Sequence, residues 1–280
     1  MDAAVRRERI ALPGLEGPAE IIVDRWGIPH IYAGSKADAF FVQGWNVARD
    51  RLWQLDLWRK RGLGLLARSF GPAYAAQDRA ARLFLYRGDM DAEWAAYGPD
   101  ARAWTEAFVA GLNARVSEVL AGAAPAPVEF ELTDTKPDRW TAEELVRIRS
   151  HGISNNAEGE SLRARVLKAA GSPVPDRLRR SVQPWEHEVR IPEGLDPADI
   201  PDDLHAAYAL AVKEVSFGPP PAATEADRAA MALSQGSNNW AIAGWRTATG
   251  RPAWWRSRCR RPFGCRPARS GVEPIAPRCH

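Results

Sequence analysis

The arrangement best suited to covalent chemistry in this sequence is a glycine-serine pair, Gly236-Ser237. A serine hydroxyl is a weak nucleophile at neutral pH and needs a base beside it. Histidine is the usual base, but the histidines before residue 254, at positions 30, 151, 187 and 205, lie in no nucleophile-elbow context. A free α-amino group, whose ordinary pKa is about 7.7–8.0, can serve instead. Ser237 is therefore a candidate nucleophile, provided that cleavage after Gly236 makes it the first residue of a chain.

The residues on either side of this pair fit a cleavage site. Residues 218–236 are rich in proline, alanine and polar residues, which predicts a flexible, exposed linker that processing could remove. Residues 237–243 predict a turn that runs into a strand. On its own, Gly-Ser-Asn-Asn is more typical of a surface turn than of a nucleophile. The choice between these interpretations depends on motifs elsewhere in the chain.

A second group of motifs lies roughly 200 residues upstream of Ser237. It comprises Val23–Ala33 (VDRWGIPHIYA), Asp38-Ala39, Gln43-Gly44, Arg49–Asp56 (RDRLWQLD) and Arg61-Gly62-x-Gly64-x-Leu66-Ala67. Together with Gly236–Trp240 and Thr247–Pro252, these motifs resemble the penicillin acylase (penicillin amidase) family of N-terminal-nucleophile hydrolases. The resemblance covers roughly residues 10 to 253. It makes Ser237 the expected catalytic residue and Gly236-Ser237 the expected cleavage site.

The resemblance also implies a fold and a reaction. The fold is α+β: the mostly helical α-chain part of a four-layer αββα hydrolase, incomplete here because most of the β chain is missing. The precursor would cleave itself into an α/β heterodimer that hydrolyses a small acyl-amide, such as a penicillin side chain. An acyl-homoserine-lactone or cephalosporin acylase of the same family is an alternative. An inactive, truncated helical remnant whose basic tail binds acidic partners is another.

Members of this family bind a structural calcium ion, with one carboxylate from the α chain and the others from the β chain. The stretch Ala157–Leu162 resembles the region of the α-chain ligand, with Glu158 as the expected metal ligand and Glu160 as the second choice. Carboxylates from distant segments can bind calcium together, because this ion takes six to eight oxygen ligands. The alternative is that these are ordinary acidic residues in the first turn of a helix.

The last part of the chain departs from the family pattern. Residues 254–280 contain all three cysteines, Cys259, Cys265 and Cys279, and seven arginines but only one acidic residue. This composition predicts a shift of reading frame near residue 253. A zinc site that also uses His280 is the alternative, but its spacing matches no paired zinc motif. The predicted regions are thus 1–217 (α chain), 218–236 (spacer), 237–253 (start of the β chain) and 254–280 (aberrant tail).

Composition excludes several other classes of protein. The net charge is +3, yet it is −3 without the tail, so the basic character is assigned to the tail alone and nucleic-acid binding is not expected. No apolar run approaches the roughly 18–20 residues of a membrane span. The charged first residues include no signal peptide, which predicts a cytoplasmic location as written, or a periplasmic or secreted one if the true start lies upstream.

The elements that must position the candidate residues are mostly helices. Two short strands around residues 19–23 and 28–33 precede a long helical segment, 36–70, with a break expected at Gly62 and Gly64. Further helices are expected at 72–85, 91–96, 100–121, 141–150, 162–170 and within 204–217, with 172–201 irregular. Thr141 and Glu144 form a predicted capping box.

We expect the upstream motifs to be structural rather than catalytic. Gly27 is predicted to need a positive φ or close packing, and His30 is predicted to be a packed, satisfied histidine. Arg49, Asp50, Arg51 and Asp56 are predicted to form a buried or half-buried ionic network. Three tryptophans are predicted to be core residues: Trp45, Trp53 and Trp58.

Overall fold

The computed structural model describes residues 11–148, 155–172, 174–179, 193–194, 196, 199–217, 239–242, 247 and 253–256. The chain divides into two compact units: unit 1 is Met1–Val42 with Ser216–His280, and unit 2 is Gln43–Val215. The described residues form ten α-helices and two two-stranded sheets, so this part of the chain is mostly helical, as predicted. The four-layer arrangement stays a prediction. None of the helices described is both long and apolar enough to cross a membrane.

The elements follow one another in this order along the chain: β1 (Ala19–Val23), β2 (Pro29–Ala33), α1 (Lys36–Leu63), α2 (Leu66–Phe70), a 3-10 turn (Pro72–Tyr74), α3 (Ala75–Leu83), α4 (Met90–Tyr97), α5 (Ala101–Leu120), α6 (Val128–Leu132), α7 (Ala142–Arg147), α8 (Asn155–Ala170), α9 (Val174–Arg179), α10 (Ala206–Ala211), β3 (Asn239–Ile242) and β4 (Ala253–Arg256).

The first two strands form an antiparallel hairpin whose turn is fixed by Asp24. One carboxylate oxygen of Asp24 accepts the N–H groups of Trp26 and Ile28 at 2.9 and 3.0 Å. Gly27 has φ +81°, which confirms the predicted positive φ. Burial raises the pKa of Asp24, but the hydrogen bonds from Ile28, His30 and Trp26 outweigh it, so the pKa lies below its ordinary value. His30 is satisfied by Asp24 at 3.2 Å, but it is 48% exposed, so the prediction that it is packed was wrong.

Helix α1 ends near Gly64, as its glycines predict. It also has a kink that its glycines do not predict. Gly64 has φ +67° and separates α1 from α2, which confirms the expected interruption. Arg51 has φ −145° and ψ 33°, a kink that no sequence signal marks. Beyond this kink Asp56, Arg59 and Lys60 are buried. Trp58 lies on another face of the helix and is 43% exposed, so its assignment to the core was wrong.

Helices α1 and α5 cross at a glycine. A Cβ atom at Gly44 would lie 1.9 Å from the carbonyl oxygen of Phe108, so only glycine allows this approach of the two backbones. Next to the crossing, the indole N–H of Trp45 donates to Glu118 at 3.0 Å. The main apolar core of unit 2 forms around this contact from the buried residues Ala48, Leu52, Val109, Leu112, Val116, Phe130 and Trp140.

A buried ionic network fixes the second half of α1. The Nζ atom of Lys60 lies 2.5 Å from Oδ2 of Asp56, and both side chains are 2% exposed or less. The other carboxylate oxygen of Asp56 accepts the N–H of Asp138 at 2.9 Å. Burial raises the pKa of Asp56, and the Asp138 amide and the Lys60 ammonium offset only part of that effect. The prediction of Asp56 as a network residue is confirmed.

The other members of the predicted network differ from the sequence-based expectation. Arg49 lies 3.8 Å from Asp50 and donates to the side chain of Asn46 at 2.7 Å, whereas Arg51 is exposed. Arg59 takes the expected role instead and binds both carboxylate oxygens of Glu144, at 2.5 and 2.8 Å. These partners are 85 residues apart in sequence, which is why local spacing did not reveal them.

The capping box of α7 is present as predicted, with reciprocal bonds between Thr141 and Glu144. Helix α7 ends at Arg147, however, rather than near residue 150. Helix α8 begins seven residues earlier than predicted, at Asn155. Helix α6, which was not predicted, lies at Val128–Leu132, and α9 lies in a segment predicted to be irregular.

Helix α10 packs on α3 near the end of unit 2. Ala211 and the α3 alanines Ala80 and Ala81 form a small buried cluster, and Tyr208 meets Phe84 edge-on at 5.2 Å between ring centroids. Just beyond α10, the side chain of Gln77 donates to the carbonyl of Lys213 at 2.7 Å. The last residues of unit 2 are therefore attached to its helical body by both apolar and polar contacts.

We predict that Gly44→Ala destabilises the protein, because its methyl group would overlap the Phe108 carbonyl. The expected loss in the free energy of unfolding is about 3 kcal/mol, at the upper end for overpacking. Gly159→Ala is the matched control, since nothing lies within 4 Å of the added Cβ in α8, and it should stabilise by about 0.4–1 kcal/mol. Chemical unfolding measures both; equal effects of the two substitutions would contradict the close crossing.

We predict strong coupling between Asp56 and Lys60. Asp56→Ala leaves a buried ammonium without its partner and should cost about 3–5 kcal/mol, whereas Asp56→Ala with Lys60→Met should cost less than the two single changes together. The exposed pair Arg102 and Glu106, with the same spacing on α5, should show almost no coupling. Double-mutant cycles of unfolding measure both, and similar couplings would show that burial is not the cause.

Candidate active site

Gly236 and Ser237, the predicted cleavage site and nucleophile, lie outside the described residues. Strand β3 begins two residues after Ser237, at Asn239, so the strand predicted to follow the nucleophile is present. It pairs antiparallel with β4, with Asn239 opposite Arg256 and Ile242 opposite Ala253. Strand structure thus extends three residues into the segment 254–280, which its composition marks as an aberrant tail.

Glu158, the expected calcium ligand, lies on α8 in unit 2, and its side chain is outside the described part of the structure. The second choice, Glu160, has a described partner: both of its carboxylate oxygens accept from Nη1 of Arg163 at 2.9 Å. The Nε atom of Arg163 also lies 3.4 Å from the buried Asp176 on α9. Glu160 is thus paired with an arginine, while Glu158 remains the expected ligand on the resemblance alone.

Among the described side chains, no group of three histidine, cysteine, aspartate or glutamate residues could hold a metal ion. The candidate nucleophile and the candidate ligand fall in different units, Ser237 in unit 1 and Glu158 in unit 2.

Helix α8 is held along one face by a polar segment that sequence reasoning missed. Ser161, Arg165 and Lys168 are spaced by four and three residues, so they share this face. Ser161 Oγ lies 2.7 Å from His205 Nε2, and Lys168 lies 2.9 Å from Asp196. Arg165 donates to the carbonyl of Pro201 and lies 3.8 Å from the carboxylate of Asp202. We call the segment from Asp196 to His205 the polar strap.

The polar strap contacts the helix that carries the candidate ligand Glu158. Its most buried contact, Ser161 to His205, is next to the start of α10, which packs on α3. In the sequence, these contacts are indicated only by polar residues of α8 that recur at helical spacing. This spacing gave no indication of the partner, since His205 is 44 residues away from Ser161.

The upstream motifs are explained by structural contacts. Asp24 and Gly27 fix the hairpin turn, Gly44 permits a helix crossing, and Asp56 joins the buried network. Arg61 donates to the carbonyl of Val212 at 3.4 Å and pairs with Glu214 at 2.9 Å. These contacts give the residues structural roles within their own units.

Comparison with known proteins shows which family this chain resembles, which local geometry alone does not. The family profile described as Penicillin amidase matches residues 18–255, which include position 237 and most of β4. The chain is 34% identical over 245 residues to the penicillin acylase 2 proenzyme of Pseudomonas sp. (strain SE83), covering 87% of this chain and 30% of that protein. It is 29% identical over 122 residues to penicillin G acylase of Escherichia coli, covering 43% of this chain and 14% of that protein.

Two further relatives widen the comparison. The acyl-homoserine lactone acylase QuiP of Pseudomonas aeruginosa is 26% identical over 246 residues, covering 86% of this chain and 27% of its own length. A solved structure, a thermostable penicillin G acylase from Alcaligenes faecalis, aligns with a TM-score of 0.47 and 24% identity, covering 64% of this chain and 97% of the solved one. The chain spans less than a third of the length of these curated relatives. With a family profile that matches 18–255 of its 280 residues, the chain belongs to the penicillin amidase family.

Proposed function

We propose that this chain is the front part of a self-processing amide hydrolase whose nucleophile is Ser237. The observation that carries the proposal is the family match, which runs continuously through Gly236-Ser237 and into β4. The relative with 34% identity is named a proenzyme, which supports maturation by cleavage. Strand β3 begins two residues after Ser237, which is consistent with a nucleophile that directly precedes a strand in the sequence.

Processing would begin with attack of the Ser237 hydroxyl oxygen on the carbonyl carbon of Gly236. The peptide C–N bond breaks, an ester forms, and the nitrogen becomes the free α-amino group of Ser237. Water then hydrolyses the ester, which leaves a carboxylate on Gly236 and restores the hydroxyl. The linker 218–236 before this bond fits a segment that is afterwards removed.

The mature serine would act in two steps. Its α-amino group accepts the hydroxyl proton while the oxygen attacks an amide carbonyl, because an amine with a pKa near 8 is a competent base at neutral pH. The amine product leaves with that proton, and the acyl group stays on Ser237 as an ester. Water, deprotonated by the same amino group, then releases the acid.

A linear acyl-amide such as a penicillin side chain is the substrate class that we favour. The relative with 34% identity is a penicillin acylase, while the acyl-homoserine lactone acylase of P. aeruginosa is 26% identical over a similar stretch. A lactone or cephalosporin acylase is the alternative within the family. For the sequence as given, a remnant without catalysis is the alternative outside it, because residues 254–280 depart from the family composition.

We predict that processing depends on the Ser237 hydroxyl. In a chain whose reading frame is restored beyond residue 253, intact-mass measurement should find a fragment that begins at Ser237. Ser237→Ala should abolish that fragment and the hydrolysis of a phenylacetyl amide, because no oxygen nucleophile remains at this position. Ser237→Cys keeps a nucleophile and should still process, and Ser234→Ala is the matched control within the linker.

Two results would count against this assignment. Processing that continues in Ser237→Ala would place the nucleophile elsewhere, and a restored chain that neither processes nor hydrolyses would favour the remnant. For the 280-residue chain itself, an intact mass of 30.9 kDa with no activity is the result that the remnant alternative expects.

We further propose that Glu158 supplies one carboxylate to a calcium site that joins the two chains. The ion would act as a structural link between segments and take no part in the amide chemistry. In the frame-restored protein, Glu158→Gln should raise the calcium concentration needed for half-maximal thermal stabilisation by about 10-fold, since ligand charge tunes calcium affinity. Glu160→Gln, which changes an arginine partner instead, should leave it nearly unchanged, and equal effects would contradict the assignment.

A further inference from the structure

Three arginines line a cavity on unit 2, and none of the candidate active-site residues is part of its lining. The cavity has a volume of about 390 Å³ and lies beside α3 and the loop that follows it. Its lining includes Arg79, Arg82 and Arg87, together with Asp78 and the apolar side chains of Ala67 and Leu83. It is open to solvent rather than enclosed, and its volume falls within the range of ligand-binding clefts.

Two of the three guanidinium groups are held in place by neutral acceptors. Arg82 donates through Nε and Nη2 to the carbonyl of Gly64 at 3.1 and 2.7 Å, and Arg87 donates to the carbonyl of Arg82 at 2.5 Å. A Cβ atom at Gly64 would lie 2.8 Å from Cγ of Arg82, so the absence of a side chain there makes room for the arginine. Because carbonyl groups carry no net charge, both arginines keep their full positive charge.

The only acidic residue in the lining is already engaged. The two carboxylate oxygens of Asp78 accept the N–H groups of Leu66 and Ala67, each at 2.8 Å, and the residue is 5% exposed. In the described ranges no ion pair reaches Arg79, Arg82 or Arg87, whereas arginines elsewhere in unit 2, such as Arg59, do pair with carboxylates. The cavity is thus lined by three cations and one hydrogen-bonded anion.

Like charges at this spacing repel each other. Arg79 and Arg82 are three residues apart on α3, where side chains are neighbours and like charges destabilise a helix. An anion between them would remove that repulsion and accept the forked hydrogen bonds that guanidinium groups offer to carboxylate and phosphate. Leu83, which is 63% exposed at the edge of the cavity, offers an apolar surface to the rest of such a ligand.

We propose that this cavity binds a small molecule with two or more negative charges, carried by phosphate or carboxylate groups. Arg82 and Arg87 provide guanidinium groups held by the backbone, and Arg79, which is exposed, closes over the ligand. The proposal does not depend on Ser237, and binding should be the same in Ser237→Ala. A failed processing experiment and a failed binding experiment are therefore separate results.

The test uses the 280-residue chain with two probes, inorganic phosphate and citrate, titrated by calorimetry at constant ionic strength. We expect saturable binding of at least one probe and a matching rise in the thermal midpoint. Arg79→Gln with Arg87→Gln should weaken binding by about 10-fold or more, because two of the three cations are removed. Arg82 is left intact, since its bonds to Gly64 belong to the fold.

The matched control is Arg102→Gln with Arg139→Gln, which removes the same charge from exposed positions elsewhere in unit 2. It should leave binding within about twofold, because only long-range attraction changes. Arg79→Lys gives a second measurement in case the double variant folds poorly, and it should weaken binding while it keeps the charge. Equal weakening by the control pair, or no saturable binding of either probe, would overturn the proposal.

Discussion

The buried pair of Asp56 and Lys60 is the contact on which the rest of unit 2 depends. Two charges removed from water are stable only when each has a close partner and further hydrogen bonds. Asp56 meets this requirement with the ammonium of Lys60 and the backbone N–H of Asp138. One turn of α1 thereby fixes the loop before α7, and Arg59 extends the same connection to the cap of α7 through Glu144. These charged contacts fix α1 relative to α7, and the apolar core of unit 2 packs beside them.

Local signals in the sequence predicted much of this frame. The hairpin, the break at Gly64 and the capping box at Thr141 each follow from the chemistry of a few adjacent residues. The kink at Arg51 and the partners of Arg59 were not predictable in this way. The partners of Arg59 lie in a segment far away in the chain, and no pattern in the neighbouring residues marks the kink or the exposure of Trp58.

The candidate site was predictable to a different degree. Ser237 was predicted from family motifs that lie on both sides of it. Glu158 was predicted from a weaker similarity in the stretch Ala157–Leu162. The arginine cavity was missed because the net charge of the body is slightly negative, and this average concealed a local cluster. The three arginines are close in sequence, but the backbone bonds that hold Arg82 and Arg87 are visible only in the fold.

The long sequence separation within the ionic network also affects how the chain folds during synthesis. The N–H that Asp56 binds belongs to a residue 82 positions later, so at ribosomal rates α1 waits on the order of 4 to 16 s for this partner. During that interval the side chains of its future buried face include a carboxylate, a guanidinium and an ammonium, all of which water solvates well. A nascent helix with this composition is less prone to aggregate than one with a purely aliphatic face. The charges that later fix the folded core thus also protect the chain before the core exists.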